Sequence, residues 1–283
     1  MMADAMSDLW SSREVSRVAD GGQPVREEDA VAAEEPLEIR VGGRSLTVLM
    51  RTPGHDIDLV TGLLRSEGIV TTAAQIATIA HCREATPDGG AGEFAANVIE
   101  ARLSPGTTLD WSALARSFFS NSSCGLCGKT TIESVLRTIP PLPAEDSSGI
   151  PASLLTTLPG VLREGQAAFD RTGGLHACAA FDRGGRLLAL REDVGRHNAV
   201  DKVLGALLLD GEDNAAILMV SGRAGFEIVQ KAAAARVPVL CAVSAPSTLA
   251  VDLAREMNVT LVGFLRGRTF KVYAGVERIA LTE

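Results

Sequence analysis

Short apolar strands alternate with amphipathic helical patterns through the second half of the chain, and this alternation restricts the possible folds most strongly. The runs AAILMVS, VPVLCAVS and VTLVGFL begin at residues 215, 237 and 259, and helical patterns over residues 224–235 and 247–257 separate them. Parallel neighbouring strands need a crossover of this length, which is usually a helix. The alternation therefore predicts a layered α/β domain whose sheet contains a largely parallel stretch.

The region just upstream extends this domain. A helix is predicted over residues 152–167, a hairpin with a Gly-Gly turn follows in LHACAAFD and RLLALRE, and a further helix is predicted over residues 194–208. The α/β domain is therefore predicted to cover residues 152–283. A break rich in proline and serine, PPLPAEDSSGIP at residues 140–151, is the predicted linker in front of it.

A smaller α+β lobe is predicted over residues 37–139. LEIRVGGRSLTVLM alternates apolar and polar residues around Gly42 and Gly43, DIDLVTGLLRSEGI has helical spacing, and QIATIAHCRE and FAANVIEARL are typical of strands. The first 36 residues contain nine acidic residues and three arginines and lack apolar periodicity. Residues 1–36 are therefore predicted to form a disordered acidic tail.

The charge and hydropathy patterns argue against several classes of partner. Most of the formal net charge of −8 falls in the tail, and the rest of the chain has no basic stripe, so nucleic acid is not an expected partner. No apolar run reaches the roughly 18 residues of a membrane span, and no apolar signal-peptide core occurs near the start. An odd number of cysteines, with one Cys-x-x-Cys pair, indicates a cytoplasmic protein in a reducing compartment.

The pair Cys124 and Cys127, in SSCGLCGK, carries the clearest chemistry in the sequence. Such a pair can supply half of a zinc site, cycle as a disulfide or carry a transferable sulfur atom. A closed zinc site needs four ligands, but the chain has no second Cys-x-x-Cys, and Cys82, Cys178 and Cys241 stand alone in apolar runs typical of a protein core. A zinc deaminase would also need a His-x-Glu sequence, and none of the four histidines begins one.

The surroundings of the pair favour persulfide carriage over redox cycling. A thioredoxin-like motif would follow a strand of a βαβ unit, whereas this pair follows the loop-like stretch FFSNSS. The helical pattern GKTTIESVLRTI begins beside Cys127, and a helix N-terminus together with Lys129 favours a thiolate. Glycine and serine neighbours permit the mobility that delivery of sulfur needs. The spacing alone leaves both functions open.

Eight motifs, in this order along the chain, resemble one known family. EEPLEIRVGG, RTPGHDIDLVTGLLRSEGI, SSCGLCGK, FDRTGGLHACAAF, REDVGRHNAVDKVLG, SGRAGFEIVQKA, SAPSTLAVDLA and GFLRGRTFKVY together closely resemble the formate dehydrogenase accessory sulfurtransferases, the FdhD family. The resemblance implies a fold similar to that of cytidine deaminases, with a layered α/β/α domain and a smaller N-terminal α+β lobe. It also implies a homodimer.

The resemblance implies that the protein is a sulfur carrier. Such proteins accept persulfide sulfur from a cysteine desulfurase and pass it to the molybdenum cofactor, in its bis-molybdopterin guanine dinucleotide form, before that cofactor enters formate dehydrogenase. Cys124 is the implied persulfide carrier, and Cys127 assists it or shares the role. The cofactor is then cargo, and no tightly held metal is expected. The alternative is a chaperone that binds the molybdenum cofactor without carrying sulfur.

Two strand-to-helix junctions are candidates for binding the cargo. SGR and SAPS each follow an apolar strand and open a helix, and helix N-termini at the carboxyl ends of strands attract phosphates. Ordinary turn chemistry is the alternative interpretation. The residues expected to hold guanine nucleotide and pyrophosphate are Ser221, Gly222, Arg223, Ser244 and Ser247.

A third stretch and one histidine complete the candidate set. The resemblance assigns FLRGRT to binding of the molybdopterin guanine dinucleotide, although a hairpin turn is an equally good interpretation of the residues alone. His197 lies among the charged residues of EDVGRHN and is a candidate for cofactor contact, whereas His176 is expected to lie in a turn. The residues of the third stretch are Phe264, Leu265, Arg266, Gly267, Arg268 and Thr269.

Overall fold

Two larger sheets, each with its own helices, organise the chain in the computed structural model, which describes residues 9–82, 97–109, 111, 135–136, 138–143, 149–212 and 214–281. The elements of the first part are β1 (Trp10–Arg17), β2 (Val25–Ala32), β3 (Glu35–Val41), β4 (Arg44–Arg51), α1 (Asp56–Ser66), β5 (Ile76–His81) and β6 (Val98–Leu103). A short 3-10 helix, Ala73–Gln75, precedes β5.

The second part of the chain contains more elements. They are β7 (Ile150–Pro151), α2 (Ala152–Leu155), α3 (Leu158–Glu164), α4 (Ala167–Thr172), β8 (His176–Phe181), β9 (Leu187–Asp193), α5 (Arg196–Asp210), β10 (Ile217–Val220), α6 (Phe226–Ala234), β11 (Val239–Ala242), α7 (Thr248–Glu256), β12 (Thr260–Arg266), β13 (Thr269–Ala274) and β14 (Ile279–Ala280). A 3-10 helix, Val276–Arg278, precedes β14. Across the residues that the structure describes, no helix is both long and apolar enough to cross a bilayer.

A six-stranded sheet in the order β13-β12-β11-β10-β8-β9 forms the α/β domain. The strands β10, β11 and β12 are parallel neighbours, as the alternation of strands and helices predicts. Helices α5, α6 and α7 pack on one face of the sheet, and α2 and α3 pack on the other. Because both faces are covered, the central strands are continuously apolar and fully buried.

The N-terminal lobe is a four-stranded sheet in the order β4-β3-β6-β5, with α1 packed against it. The hairpin β3–β4 turns at Gly42 and Gly43, whose φ values of +57° and +78° suit a two-residue turn that other residues adopt poorly. Leu59, Val60 and Leu63 of α1 are buried on this sheet. The predicted α+β lobe is therefore present in the described residues.

The prediction of a disordered tail over residues 1–36 is wrong for its described part, which forms the antiparallel hairpin β1–β2. The charges that suggested disorder oppose each other across the two strands, because Arg17 pairs with Glu27 at 2.8 Å and Arg26 with Glu14 at 3.1 Å. The hairpin also packs on α4, where the Arg171 guanidinium lies 4.8 Å from the centre of the Trp10 ring.

The predicted linker, residues 140–151, is held by the α/β domain where it is described. The Leu142 backbone N–H donates to the Met257 carbonyl at 3.0 Å, and Leu142 itself is buried. Ile150 is buried too and pairs with Ile279 in the small sheet formed by β7 and β14. Burial of these apolar residues against the domain explains why a sequence rich in proline and serine does not behave as a free linker here.

Helix α1 of the lobe and helix α5 of the α/β domain cross at two glycines. A Cβ added at Gly62 would lie 1.8 Å from the Asp201 carbonyl oxygen, and a Cβ added at Gly205 would lie 1.8 Å from the Asp58 carbonyl oxygen. No side chain larger than hydrogen fits between backbones at this distance. The glycines therefore allow the backbones of α1 and α5 to pack directly against each other.

We predict that Gly205→Ala lowers the free energy of unfolding by about 3 kcal/mol, because the new methyl group forces the two helix backbones apart. Urea unfolding of the wild type and the variant measures this change. The matched control is Gly160→Ala in α3, where nothing lies within 4 Å of an added Cβ. That variant should keep or slightly raise the stability, since alanine favours helix over glycine. Equal stability of Gly205→Ala and the wild type would contradict the close crossing.

Candidate functional site

Four strands of the larger sheet end at the same edge, which we call the carboxyl edge. Strands β10, β11 and β12 are mutually parallel, and β9 runs in the same direction because both β9 and β10 are antiparallel to β8. The loops that leave these strands therefore lie side by side. Ligands of open α/β sheets bind at such an edge.

The loops after β10, β11 and β12 are joined directly to one another. Ala224 and Pro246 form an isolated bridge, and the Ser247 backbone N–H donates to the Ala224 carbonyl at 3.2 Å. The Phe264 backbone N–H donates to the Ser244 carbonyl at 3.1 Å. The structure thus brings together the three candidate stretches, which are residues 221–223, 244–247 and 264–269 of the sequence.

Two of the candidate serines already have internal partners. The Ser221 hydroxyl accepts a hydrogen bond from the Ala177 backbone N–H at 2.9 Å, and the Ser247 hydroxyl caps α7 by accepting from the Ala250 N–H at 3.3 Å. Their hydroxyl hydrogens can still be donated to a ligand oxygen. Gly222 and Arg223 complete the first loop, and the Arg223 side chain is exposed.

The FLRGRT stretch contains both surface and core residues. Leu265 is fully buried and belongs to the core, so it supports the stretch without facing a ligand. Phe264 adopts a left-handed φ of +52° that is rare for a bulky residue, and its ring is partly exposed beside Arg266 and Lys271. Gly267, Arg268 and Thr269 form the exposed turn and the start of β13.

Arg266 is exposed, and it also ties the third stretch to the second. Its Nε donates to the Val243 carbonyl at the end of β11, at 2.9 Å. A guanidinium has five N–H donors, so this bond leaves the terminal nitrogens able to bind phosphate oxygens. The candidate positive charge of this stretch is therefore positioned over the adjacent strand end.

Two histidines and an arginine meet beside the first loop. The imidazole of His176 packs on Gly222, where an added Cβ would lie 3.3 Å from Nδ1. Burial, followed by the charge of Arg196, lowers the pKa of His176, so its ring is neutral at neutral pH. His197 Nε2 lies 3.7 Å from Glu227 Oε2, and this pairing is the main cause that lowers the pKa of Glu227 to about 2.

The sequence placed His176 in a turn, but the structure makes it the first residue of β8. Because β8 runs antiparallel to β10, its first residue must lie at the edge where β10 ends. The predicted hairpin of LHACAAFD and RLLALRE already implied this position for His176, because the first strand of a hairpin begins beside the end of the second strand. His176 is therefore a candidate site residue that the sequence interpretation missed.

A buried ion pair holds the start of α5 and connects it to the lobe. The Asp193 carboxylate at the end of β9 is fully buried and accepts from Lys202 Nζ at 2.8 Å and from the Gly195 N–H at 2.7 Å. Lys202 Nζ also donates to the Thr52 carbonyl of the lobe, at 2.8 Å. The position of Arg196 and His197 therefore depends on Asp193.

The cysteine pair, Cys124 and Cys127, lies outside the described residues, and so does most of the helical pattern that follows it. Cys178 and Cys241 are buried in the core, as expected for lone cysteines in apolar runs, and Cys82 is partly buried. Burial raises the pKa of the Cys241 thiol to about 12 and raises that of Cys178 further still, so neither provides a thiolate at neutral pH.

His55 is exposed beside α1, and its Nδ1 lies 3.3 Å from Asp58 Oδ2. Asp56 pairs instead with the buried Arg51, through Oδ1 and Nε at 3.0 Å. The turn RTPGHD therefore has a structural role in holding the lobe together.

We predict that Asp193→Asn lowers the free energy of unfolding by about 3–5 kcal/mol, because it leaves the Lys202 ammonium buried without a counter-charge. Chemical denaturation measures the loss. The double variant Asp193→Asn/Lys202→Met should lose less than the two single variants together. Glu27→Gln, which breaks the exposed pair with Arg17, should cost less than about 1 kcal/mol. Equal losses for Asp193→Asn and Glu27→Gln would contradict the importance of the buried pair.

Known proteins resemble this chain over almost its whole length. A protein of Streptomyces avermitilis named "Sulfur carrier protein FdhD" is 49% identical over 280 residues, covering 98% of each chain. A protein of Mycobacterium tuberculosis with the same name is 46% identical over 259 residues, covering 91% of this chain and 94% of the other. These identities extend well beyond the residues of any single motif.

The fold has a counterpart among solved structures. The crystal structure of a formate dehydrogenase accessory protein from Desulfotalea psychrophila superposes with a TM-score of 0.72, covering 96% of this chain and 100% of the other at 24% identity. The FdhD/NarQ family model matches residues 32–280. This match includes the lobe, the α/β domain and every candidate residue, so the resemblance of the eight motifs is confirmed, and the chain belongs to the FdhD/NarQ family.

Proposed function

We propose that this protein is a sulfur carrier that supports the maturation of formate dehydrogenase. The observation that carries the proposal is its near full-length similarity to relatives named as sulfur carriers, with 49% and 46% identity to the two relatives described above. The name of the similar solved structure adds the link to formate dehydrogenase. The chain retains SSCGLCGK, which supplies the thiols that such a carrier needs.

The proposed chemistry is persulfide transfer through the cysteine pair. The Cys124 thiolate attacks the outer sulfur of a cysteine desulfurase persulfide, a new S–S bond forms on Cys124, and the desulfurase thiol leaves. Cys127 is the second thiol within reach and assists the release of the sulfur or shares its carriage. Since the described cysteines are buried or stand alone, the pair is the best candidate for the transfer.

The proposed cargo is the bis-molybdopterin guanine dinucleotide form of the molybdenum cofactor, and the carboxyl edge is its proposed binding site. A dinucleotide cofactor carries several phosphates and two planar ring systems. Arg223, Arg266 and Arg268 offer exposed guanidinium groups for the phosphates, and the partly exposed Phe264 ring offers a surface for stacking. His197, Gly222 and the serines of the two loops complete the proposed site.

The family resemblance also leads us to propose a cytidine deaminase-like α/β/α arrangement and a homodimer. Three features support the proposed fold: the parallel strands β10, β11 and β12, the antiparallel β8 beside them, and helices on both faces of the sheet. A homodimer would give the protein two carboxyl edges, which suits a cargo that holds two guanine dinucleotide arms.

We predict that incubation with a cysteine desulfurase and cysteine adds one sulfur atom to the wild-type protein, and that this gain is lost in Cys124→Ala. Intact-protein mass spectrometry before and after treatment with a reductant measures the addition. Cys82→Ala is the matched control, because Cys82 is a partly buried lone cysteine, and it should retain the gain. Cys127→Ala shows whether the second thiol is needed for loading or acts after it.

The same experiment tests the alternative of a cofactor-binding chaperone. A chaperone would bind the molybdenum cofactor but would gain no sulfur, so its mass would not change after the incubation. If the wild type shows no gain while the desulfurase loads another acceptor, the sulfur-carrier proposal is wrong. A gain that survives in Cys124→Ala but not in Cys127→Ala would move the carrier role to the second thiol.

A further inference from the structure

The PPLP stretch, residues 140–143, is held by side chains of the α/β domain at each of its four carbonyl groups. Arg236 donates to the first two carbonyls at 2.6 and 3.3 Å, Asn258 to the third at 3.1 Å and Arg278 to the fourth at 2.9 Å. Proline has no backbone N–H, so a stretch with three prolines cannot join a helix or a sheet through its own backbone. The three donor side chains, which we call the proline clamp, therefore fix its course.

Two residues of the proline clamp occupy positions that usually hold glycine. Arg236 and Asn258 each directly follow the C-cap residue of a helix, α6 and α7 respectively, and their φ values are +61° and +56°. This left-handed backbone is the usual end of a helix, and glycine adopts it without steric cost. The presence of larger residues at both helix ends indicates that their side chains are needed there.

The third residue of the proline clamp, Arg278, is a buried cation. Its other hydrogen bond, to Thr260 Oγ1, is 3.3 Å long, and its Nε is buried without a hydrogen-bond partner. Among the residues that the structure describes, no carboxylate forms an ion pair with it. A buried guanidinium depends on every acceptor it has. Loss of the fourth carbonyl of the PPLP stretch would thus be costly, which favours the clamped arrangement.

The clamped stretch follows the part of the chain that carries the cysteine pair. Val135 and Leu142 are buried in the same core of the α/β domain. Cys127 stands eight positions before Val135, so it stays within about 29 Å of this anchor, the span of a fully extended chain. On the other side of the pair, Trp111 lies 4.3 Å from the Arg44 guanidinium of the lobe. The cysteine-bearing segment is therefore attached to the lobe at one end and to the α/β domain at the other.

The proline clamp connects this segment to the two helices that begin at candidate loops. Helix α6 starts after the SGR loop and α7 starts after the SAPS loop, whereas Arg236 and Asn258 follow their opposite ends. Each helix has nine residues and is about 13 Å long, so its two ends move as one body. The segment with the thiols and the candidate loops therefore share one support.

We propose that Arg236 and Asn258 are positioning residues for sulfur delivery, because they hold the PPLP stretch as the fixed point from which the cysteine pair is presented to its cargo. This inference rests on the proposed function, since it assigns a role in the delivery of the carried sulfur. Loading by a desulfurase, a separate protein, needs an accessible thiol. Delivery to a bound cargo also needs orientation of that thiol within the protein, where small displacements cost large factors in rate.

The double variant Arg236→Gly/Asn258→Gly separates positioning from stability. Glycine suits both left-handed positions, so the variant keeps the two helix ends while it removes the donors of three carbonyl groups. A purely structural role predicts that loading and delivery fall together as the protein loses stability. A positioning role predicts that delivery falls while loading does not. Arg236→Gly alone should show the same direction, and it covers the case in which the double variant folds poorly.

The test measures the two steps separately on the full chain. Intact-protein mass spectrometry follows the rate of sulfur loading from a desulfurase, and the activity of formate dehydrogenase made in cells that lack their own carrier reports delivery. We expect the double variant to load sulfur as fast as the wild type and to lower formate dehydrogenase activity by about 10-fold or more. Arg255→Gln, which removes an exposed positive charge from the last turn of α7, is the matched control and should change neither.

A distance measurement tests the positioning directly. Spin labels are placed on Cys127 and on Asp210→Cys, at the exposed end of α5, in a background of Cys82→Ser and Cys124→Ser. The buried Cys178 and Cys241 should stay unlabelled, because their thiols are not ionised at neutral pH. We expect the double variant to give a broader distribution of distances between the two labels than the same background with the proline clamp intact. Thermal unfolding of each variant shows that the fold is kept.

Two sets of results would overturn the inference, and they are distinguishable. If the double variant delivers sulfur as well as the wild type, or if its loading and delivery fall by the same factor, the proline clamp has only a structural role and the sulfur-carrier proposal stands. If the wild type gains no sulfur from an active desulfurase, the proposed function is wrong, and the role of Arg236 and Asn258 in delivery is wrong with it.

Discussion

The close crossing of α1 and α5 is the contact on which the rest of the structure depends. Gly62 and Gly205 bring the two helix backbones together at a distance that no larger residue allows. Beside this crossing, Lys231 Nζ donates to both oxygens of Asp201, at 2.9 and 2.8 Å, and to the Ser66 hydroxyl of α1 at 2.9 Å. These buried charges are satisfied only while the helices stay in register. The crossing therefore fixes the lobe and the α/β domain relative to each other.

The contact between the lobe and the α/β domain extends to the candidate site through Asp193 and Lys202. Both side chains are buried and form an ion pair, and Lys202 Nζ also donates a hydrogen bond to the Thr52 carbonyl of the lobe. Because Asp193 also holds the N–H of Gly195, it sets the first turn of α5, from which Arg196 and His197 extend toward the carboxyl edge. A change in the lobe can thus move groups at the edge by way of one buried pair.

Much of the fold was predictable, and the failures have identifiable causes. The central part of the α/β domain follows from hydrophobic periodicity, since β10 and β11 are continuous apolar runs that are fully buried. The β1–β2 hairpin was missed because its stability comes from cross-strand ion pairs and from Trp10 packing on Arg171, which composition does not show. His176 was missed because a histidine after two glycines is typical of a turn, whereas its role depends on the antiparallel pairing of β8 with β10.

The sequence by itself determined the fold class, the family and the identity of the candidate groups: the cysteine pair, the two small-residue loops and the arginines of FLRGRT. Those features are local, so a reader of the chain can recognise them from residue types and spacing. Only the tertiary structure decided which of them meet. It joined the loops after β10, β11 and β12 through backbone hydrogen bonds, and it buried Leu265. It also placed His176 beside Gly222 and Glu227 beside His197. These contacts join residues distant in sequence, and strand direction and helix packing create them; no local pattern specifies either.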